Sequence, residues 1–168
     1  MRLVILGAGG FGRTIEDTAG QMGKYGEILF LDDDQENPIA AGSCREYAAY
    51  IDSHTEFYPA FGNNQVRLDW ISRLEEAGAM LASIVHPSAY VSPTVHMEKG
   101  VAVLPRAAVN TDTRILQGAI INLGALIDHG CVIGRGAHIC VGAIIKAENR
   151  IPDCMKIEAG QVIENRTF

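Results

Sequence analysis

The sequence predicts an α/β half followed by an all-β half, and three observations carry that reading. Strand-like and helix-like stretches alternate over the first half of the chain. From Val85 onward an aliphatic residue recurs at every sixth position, and small residues precede those positions at fixed offsets.

In the first half, RLVILGAGG is an apolar run stopped by glycines, GRTIEDTAGQMG has helical spacing, and EILFLDDD is a second apolar run stopped by acids. TEFYPAFGNN reads as a third strand. QVRLDWISRLEEAGA reads as an amphipathic helix presenting Val66, Leu68, Trp70, Ile71 and Leu74, and MLASIVH as a fourth strand. Alternation of this kind predicts a small parallel sheet flanked by helices, a Rossmann-like domain over residues 1–83.

Over residues 84–168 the period becomes six. Aliphatic residues stand at 91, 97, 103, 109, 115, 121, 127, 133, 139, 145, 151, 157 and 163. Two residues before these sites the side chain is mostly small (Ala89, Ala107, Ala119, Ala125, Ala137, Ala143), and three before it is often glycine (Gly100, Gly118, Gly124, Gly130, Gly136, Gly142, Gly160). A helix repeats every 3.6 residues and a strand every two, so neither produces this pattern. A left-handed parallel β-helix does: each hexad forms one flat side of a triangular coil, the aliphatic residue fills the interior, and the small residue permits the corner. Three sides per coil give between four and five coils. No Pro/Gly/Ser linker separates the halves, so they are expected to pack directly on each other.

The formal net charge of −6 and pI near 5.3 argue against a nucleic-acid partner, which needs a surplus of Lys and Arg. The apolar start MRLVILGAGG is too brief for a signal peptide, and no segment is long enough to span a bilayer, so a cytoplasmic protein is expected. The cysteines 44, 131, 140 and 154 form no CxxC pair, which suits reduced thiols better than disulfides or zinc ligands.

Several residues carry chemistry in this pattern. The loop of Gly7, Gly9 and Gly10, followed by Phe11, offers free amides at a helix start to a pyrophosphate, or is simply a tight strand-to-helix turn. Asp32 and Asp33 end the second strand where an acid can bond a ribose or base, or form a solvated turn. Asn63 and Asn64 end the third strand on the same sheet edge, as hydroxyl or uracil ligands or, for Asn64, as a helix cap. His129 lies two residues past an interior isoleucine and beside a corner glycine, so its ring points outward. It is a candidate general base or an ordinary exposed histidine. His86, His96, His129 and His138 also raise the alternative of a three-histidine zinc site on the β-helix.

With GAGGFG after the first strand, FLDDD after the second, FGNNQVR after the third and NLGALIDHGCVIG among the hexads, residues 2–149 resemble bacterial hexapeptide-repeat sugar acetyltransferases. The likeness is to sialic acid O-acetyltransferases and, most closely, to the UDP-4-amino-sugar N-acetyltransferases of bacillosamine-type pathways. The resemblance implies a homotrimer that transfers acetyl from acetyl-CoA to a UDP-linked amino sugar for glycan or glycoprotein biosynthesis, with no tightly bound cofactor, no metal and the reaction at a subunit boundary. It implies His129 as catalytic base, Asn122 near the acceptor and His138 on the acyl-CoA; the adjacent Asp128 is expected to orient the His129 ring, and Gly142 and Lys146 are expected beside the acyl-CoA. Where the family often has histidine this chain has Phe11, and where it has an acid after the catalytic histidine this chain has Gly130. After GAIIKAEN the family continues for at least another coil, so the donor site here is expected to use fewer coils, with Lys146, Arg150, Lys156 and Arg166 as nearby cations. O-acetylation of a sugar, or a catalytically silent nucleotide-sugar sensor, are the alternatives.

Overall fold

The computed structural model of the protein describes residues 1–34 and 36–168, which divide into two compact units, Met1–Ala82 and Ser83–Phe168.

The first unit is built on a four-stranded parallel sheet of order β2-β1-β3-β4, with β1 Arg2–Leu6, β2 Glu27–Leu31, β3 Thr55–Pro59 and β4 Met80–Leu81. Leu3, Val4, Ile5 and Leu6 are all fully buried, the signature of a central parallel strand covered on both faces. Helices α1 (Gly10–Gln21) and α2 (Asn64–Glu76) follow β1 and β3. Because β2 lies on one side of β1 and β3 on the other, the sheet changes direction between β1 and β3. The loops leaving their carboxyl ends therefore flank a topological switch point, where ligands of such sheets bind.

The structure amends the reading of α2 and of the fourth strand. Val66 is exposed, and the buried positions are Arg67, Ile71 and Leu74, so the inner face is rotated by one residue and begins with a charge. Arg67 is fully buried because its guanidinium is used: Nη1 donates to the Phe61 carbonyl at 2.7 Å and Nη2 to Asn64 Oδ1 at 2.9 Å. The run MLASIVH is two strands: Met80–Leu81 closes the first sheet and Ile84–Val85 opens the second unit. A 3₁₀ helix, Cys44–Tyr50, has no counterpart in the sequence reading; Ser43 caps it in a reciprocal capping box with Glu46.

The second unit is the left-handed β-helix. Among the described residues it has fourteen two-residue strands in three parallel sheets, each strand pairing with the one eighteen residues away. The first side carries Ile84–Val85, Ala102–Val103, Ile120–Ile121, His138–Ile139 and Lys156–Ile157. The second runs from Tyr90–Val91 to Val162–Ile163, and the third from His96–Met97 to Arg150–Ile151. The second residue of every strand points inward, and Val85 through Ile163 fill the interior with the small residues of the corners.

Corners follow one rule: from Gly100 to Arg166 every sixth residue has φ between 54° and 74°. Glycine meets that left-handed requirement at seven of these positions. Arg106, Asp112, Glu148, Cys154 and Arg166 meet it with a side chain, at a cost of roughly 1–2 kcal/mol each. All four cysteines are free. Burial pushes the Cys44 thiol up to about 11, and burial also raises Cys131 and Cys140, so these thiols stay protonated near neutral pH.

The last coil is fastened from inside by Asn149, which is fully buried. Its Nδ2 donates to the carbonyls of Lys146 (2.8 Å) and Glu164 (2.7 Å), and its Oδ1 accepts from the amides of Thr167 (2.8 Å) and Phe168 (3.2 Å). Asn149→Ala should cost about 1–3 kcal/mol, the penalty for orphaning buried amide partners. Urea unfolding measures the loss, and hydrogen exchange should show protection vanishing first over residues 164–168.

Candidate functional site

At the switch point of the first unit, the turn after β1 is pre-shaped. Gly7 has φ of 98°, and a Cβ on Gly12 would collide with the Gly7 carbonyl oxygen, so glycine is required at both positions. Gly9 caps α1 without a side chain, and the first intrahelical bond runs from Arg13 N–H to Gly9 O at 3.1 Å. The amides of Gly9, Gly10 and Phe11 make no hydrogen bond among the described residues, and nothing lies within 4 Å of a Cβ on Gly9 or Gly10. Open amides at a helix N-terminus with no crowding side chain form an anion cradle.

The acids after β2 shape this loop. Asp32 is half-buried and accepts from the Ala8 amide at 2.6 Å through Oδ2 and from the Asp34 amide at 2.9 Å through Oδ1. Asp33 Oδ1 accepts from Ser43 Oγ at 2.5 Å and from the Cys44 amide at 3.1 Å, so it fixes the start of the 3₁₀ helix. After β3, the helix cap is Asn63 rather than Asn64: Asn63 Oδ1 accepts from the amides of Gln65 and Val66, while Asn64 holds Arg67. These acids and amides are committed first to loop geometry.

In the second unit the two histidines stand on different sides of the coil. His129 occupies the corner after the second side, exposed, and its ring makes no hydrogen bond among the described residues. Asp128, expected to orient that ring, instead accepts from the backbone amide of His129 at 2.7 Å and from Asn110 Nδ2 at 3.2 Å, both through Oδ1. His138 lies on the first side. Asn122 is its partner rather than that of His129: Asn122 Nδ2 lies 2.9 Å from His138 Nε2. The Asn122 oxygen accepts from the Leu123 amide at 2.8 Å, which turns the amide NH₂ toward the ring and makes Nε2 the accepting nitrogen. Gly142 turns the next corner with φ of 64°, and Lys146 pairs with Glu164 at 2.5 Å.

Two clefts lie on this part of the coil, and His129 lines one of them. A 420 Å³ groove follows the second side over Tyr90, Ala108, Leu126 and Ile144, with Asn110, Asp128 and Lys146 on its rim. Across the corner a 270 Å³ cleft is lined by His129, Ala147, Glu148, Asn165 and Arg166. Glu148 was not singled out in the sequence, and Arg166 was named only as a cation near the donor; adding the coil length of eighteen to residue 130 reaches both in turn. His86 is buried with Nδ1 facing the Ser88 amide and hydroxyl, and no group of three or more His, Cys, Asp or Glu that could hold a metal gathers among the described residues.

Residues 2–74 match the PglD N-terminal domain family. The fold is similar to the acetyltransferase domain of PglB from Neisseria gonorrhoeae, solved also in complex with acetyl coenzyme A. For that domain the identity is 26%, 98% of this chain and 92% of that one are covered, and the TM-score is 0.87. It is similar as well to PerB from Caulobacter crescentus in complex with CoA and GDP-perosamine (26% identity, 99% and 90% covered, TM-score 0.84). WeeI from Acinetobacter baumannii shares the fold at 22% identity and a TM-score of 0.88 over 98% and 81% of the two chains.

The Asn122 contact predicts the tautomer of His138. Nitrogen-15 spectra should show the proton on Nδ1 in the wild type, and Asn122→Leu should shift the ring toward the Nε2–H form that dominates in free histidine.

Proposed function

We infer that this chain, one of the hexapeptide-repeat sugar acetyltransferases by its fold and N-terminal family match, is an acetyl-CoA-dependent N-acetyltransferase of a nucleotide-linked amino sugar. The observation that carries the mechanism is the exposed imidazole of His129 at a coil corner, without a hydrogen-bond partner among the described residues and lining a charged cleft.

In this reading the amine of the sugar attacks the thioester carbonyl of acetyl-CoA. The new C–N bond forms as His129 accepts the ammonium proton, and the C–S bond breaks as that proton passes to the departing thiolate. His138, held by Asn122, contacts the acyl donor, with Gly142 and Lys146 beside it. The pyrophosphate of the nucleotide sits on the amides of Gly9, Gly10 and Phe11. Asp32, Asp33, Asn63 and Asn64 shape the surroundings of its ribose and base. UDP is the proposed nucleotide by resemblance, and the GDP-linked sugar bound by PerB makes the base the point to test.

A cytoplasmic homotrimer belongs to the same proposal. No helix among the described residues is long and apolar enough to cross a membrane. Tyr90, Leu126 and Val162 form an outward apolar column on the second side, 56%, 44% and 45% exposed, a face suited to a neighbouring copy. That would bring His129 of one subunit toward His138 of the next, which one chain alone does not do.

Thiol release from acetyl-CoA, screened against UDP- and GDP-linked amino sugars, tests the activity. A nucleotide that binds with no thiol released with any amino sugar would leave a sensor rather than an enzyme. His129→Ala should lower kcat about 10²–10⁴-fold with nearly unchanged affinity for the nucleotide sugar, while His138→Ala should act mainly on KM for acetyl-CoA. Light scattering should give three times the 18.1 kDa chain mass, and Leu126→Glu should reduce it to one.

A further inference from the structure

We propose that Glu148, a carboxylate supplied by the neighbouring coil and anchored by Arg166, is the positioning residue for the imidazole of His129. The proposal rests on His129 being the base of the transfer described above. It begins from a mismatch: the adjacent acid, Asp128, has its Oδ1 occupied by the His129 amide and Asn110, yet the ring itself has no partner among the described residues.

Glu148 is placed to meet that ring. Its amide donates to the His129 carbonyl at 3.1 Å, which locks the two corners together, and both side chains line the same cleft. A Cβ on Gly130 would lie 3.5 Å from Glu148 Cγ, so the stem of Glu148 occupies the space into which a side chain at 130 would grow. Arg166 contacts the carboxylate with both Nε and Nη2, and both contacts fall on Oε2. Oε1 therefore remains to accept an imidazole N–H. The hydrogen bond would fix which ring nitrogen carries the proton and stabilise the imidazolium formed when the amine gives up its own.

The backbone supports the assignment. Glu148 and Arg166 hold left-handed corners with φ of 62° and 54° where most corners use glycine, so two consecutive coils keep charged side chains at strained positions above Gly130. The other charges around His129 are Asp128 on its own turn, Asp112 in the corner below Gly130, and Lys146, which is paired with Glu164. None of these lines the cleft that His129 shares with Glu148 and Arg166.

The test uses the full chain with carbon-13-labelled histidine, following the His129 ring by NMR through a pH titration, alongside thiol release. In Glu148→Gln the ring should titrate at lower pH than in the wild type, because an anion that favours the imidazolium is gone. In Arg166→Gln it should titrate at higher pH, because the opposing cation is gone. Glu148→Gln should also lower kcat about 10–100-fold, the usual loss on removing a carboxylate that orients a functional histidine. Glu148→Asp, which keeps the charge, should lose less of it. A titration of Glu148→Gln superimposed on the wild type, or shifts of the same sign in both single variants, would overturn the proposal. Should the wild type release no thiol, the transferase reading fails while the titration still decides the role of Glu148.

Discussion

From Gly100 onward the second unit depends on one backbone constraint: a residue in the left-handed region at every sixth position. That conformation turns the chain through each corner of the triangle, and its regular recurrence makes the coil close after eighteen residues with no drift of register. The parallel pairings follow, Arg114 with Val132 and Ile120 with His138 among them, because equal sides and equal corners bring equivalent residues directly above one another. The aliphatic interior then stabilises a geometry that the corners have already set. Replacing an interior isoleucine leaves a cavity, whereas forcing an unsuitable residue onto a corner attacks the register itself.

Such a register turns sequence distance into spatial columns. Residues eighteen apart stack, so Lys146 meets Glu164, Glu148 meets Arg166, and Arg135 Nη2 reaches Gln117 Oε1 at 2.9 Å. Exposed pairs of this kind contribute little to stability, typically ~0–1 kcal/mol, so their main effect is geometric. A charged side chain fixed by the coil above keeps its direction without a buried scaffold. This allows a surface corner such as that of His129 to hold an ordered group, although loop residues elsewhere are usually mobile. Asn122 and His138 follow a diagonal variant of the rule, linking a corner to the side above it.

The hexads were legible because interior volume and corner conformation each impose a strict residue type. The α/β elements were legible because apolar runs ended at glycines and acids. What escaped the reading has physical causes. Val66 was taken as inward because it is apolar, whereas Arg67 is buried because two acceptors satisfy its guanidinium. MLASIVH contains no turn residue between its two strands, so the break at Ala82 and Ser83 left no local mark. The cap fell on Asn63 rather than Asn64 because the choice depends on where the backbone leaves β3, by one residue. Asn122 was placed near the acceptor by resemblance, whereas the coil sets its amide against His138. Glu148 and Arg166, which share a cleft with His129, lie nineteen residues and more away, beyond any local window.

In the first unit the same economy works through glycine and aspartate. Gly7 and Gly12 allow the turn after β1 to approach the start of α1 closely, and Asp32 captures the Ala8 amide, so that one loop donor is spent on rigidity. The amides of Gly9, Gly10 and Phe11 remain, directed by a helix whose N-terminal dipole favours an anion. A carboxylate so near open helix-terminal amides would oppose any anion there if it were unpaired. Asp32 is bonded through both oxygens to backbone donors, which spreads its charge into the loop. Asp33, one residue further, is directed away to Ser43 and Cys44. The acids after β2 therefore act first by holding the shape of the loop. A chain with net charge −6 thus presents open amides at a helix N-terminus without a lysine or arginine among residues 7–12.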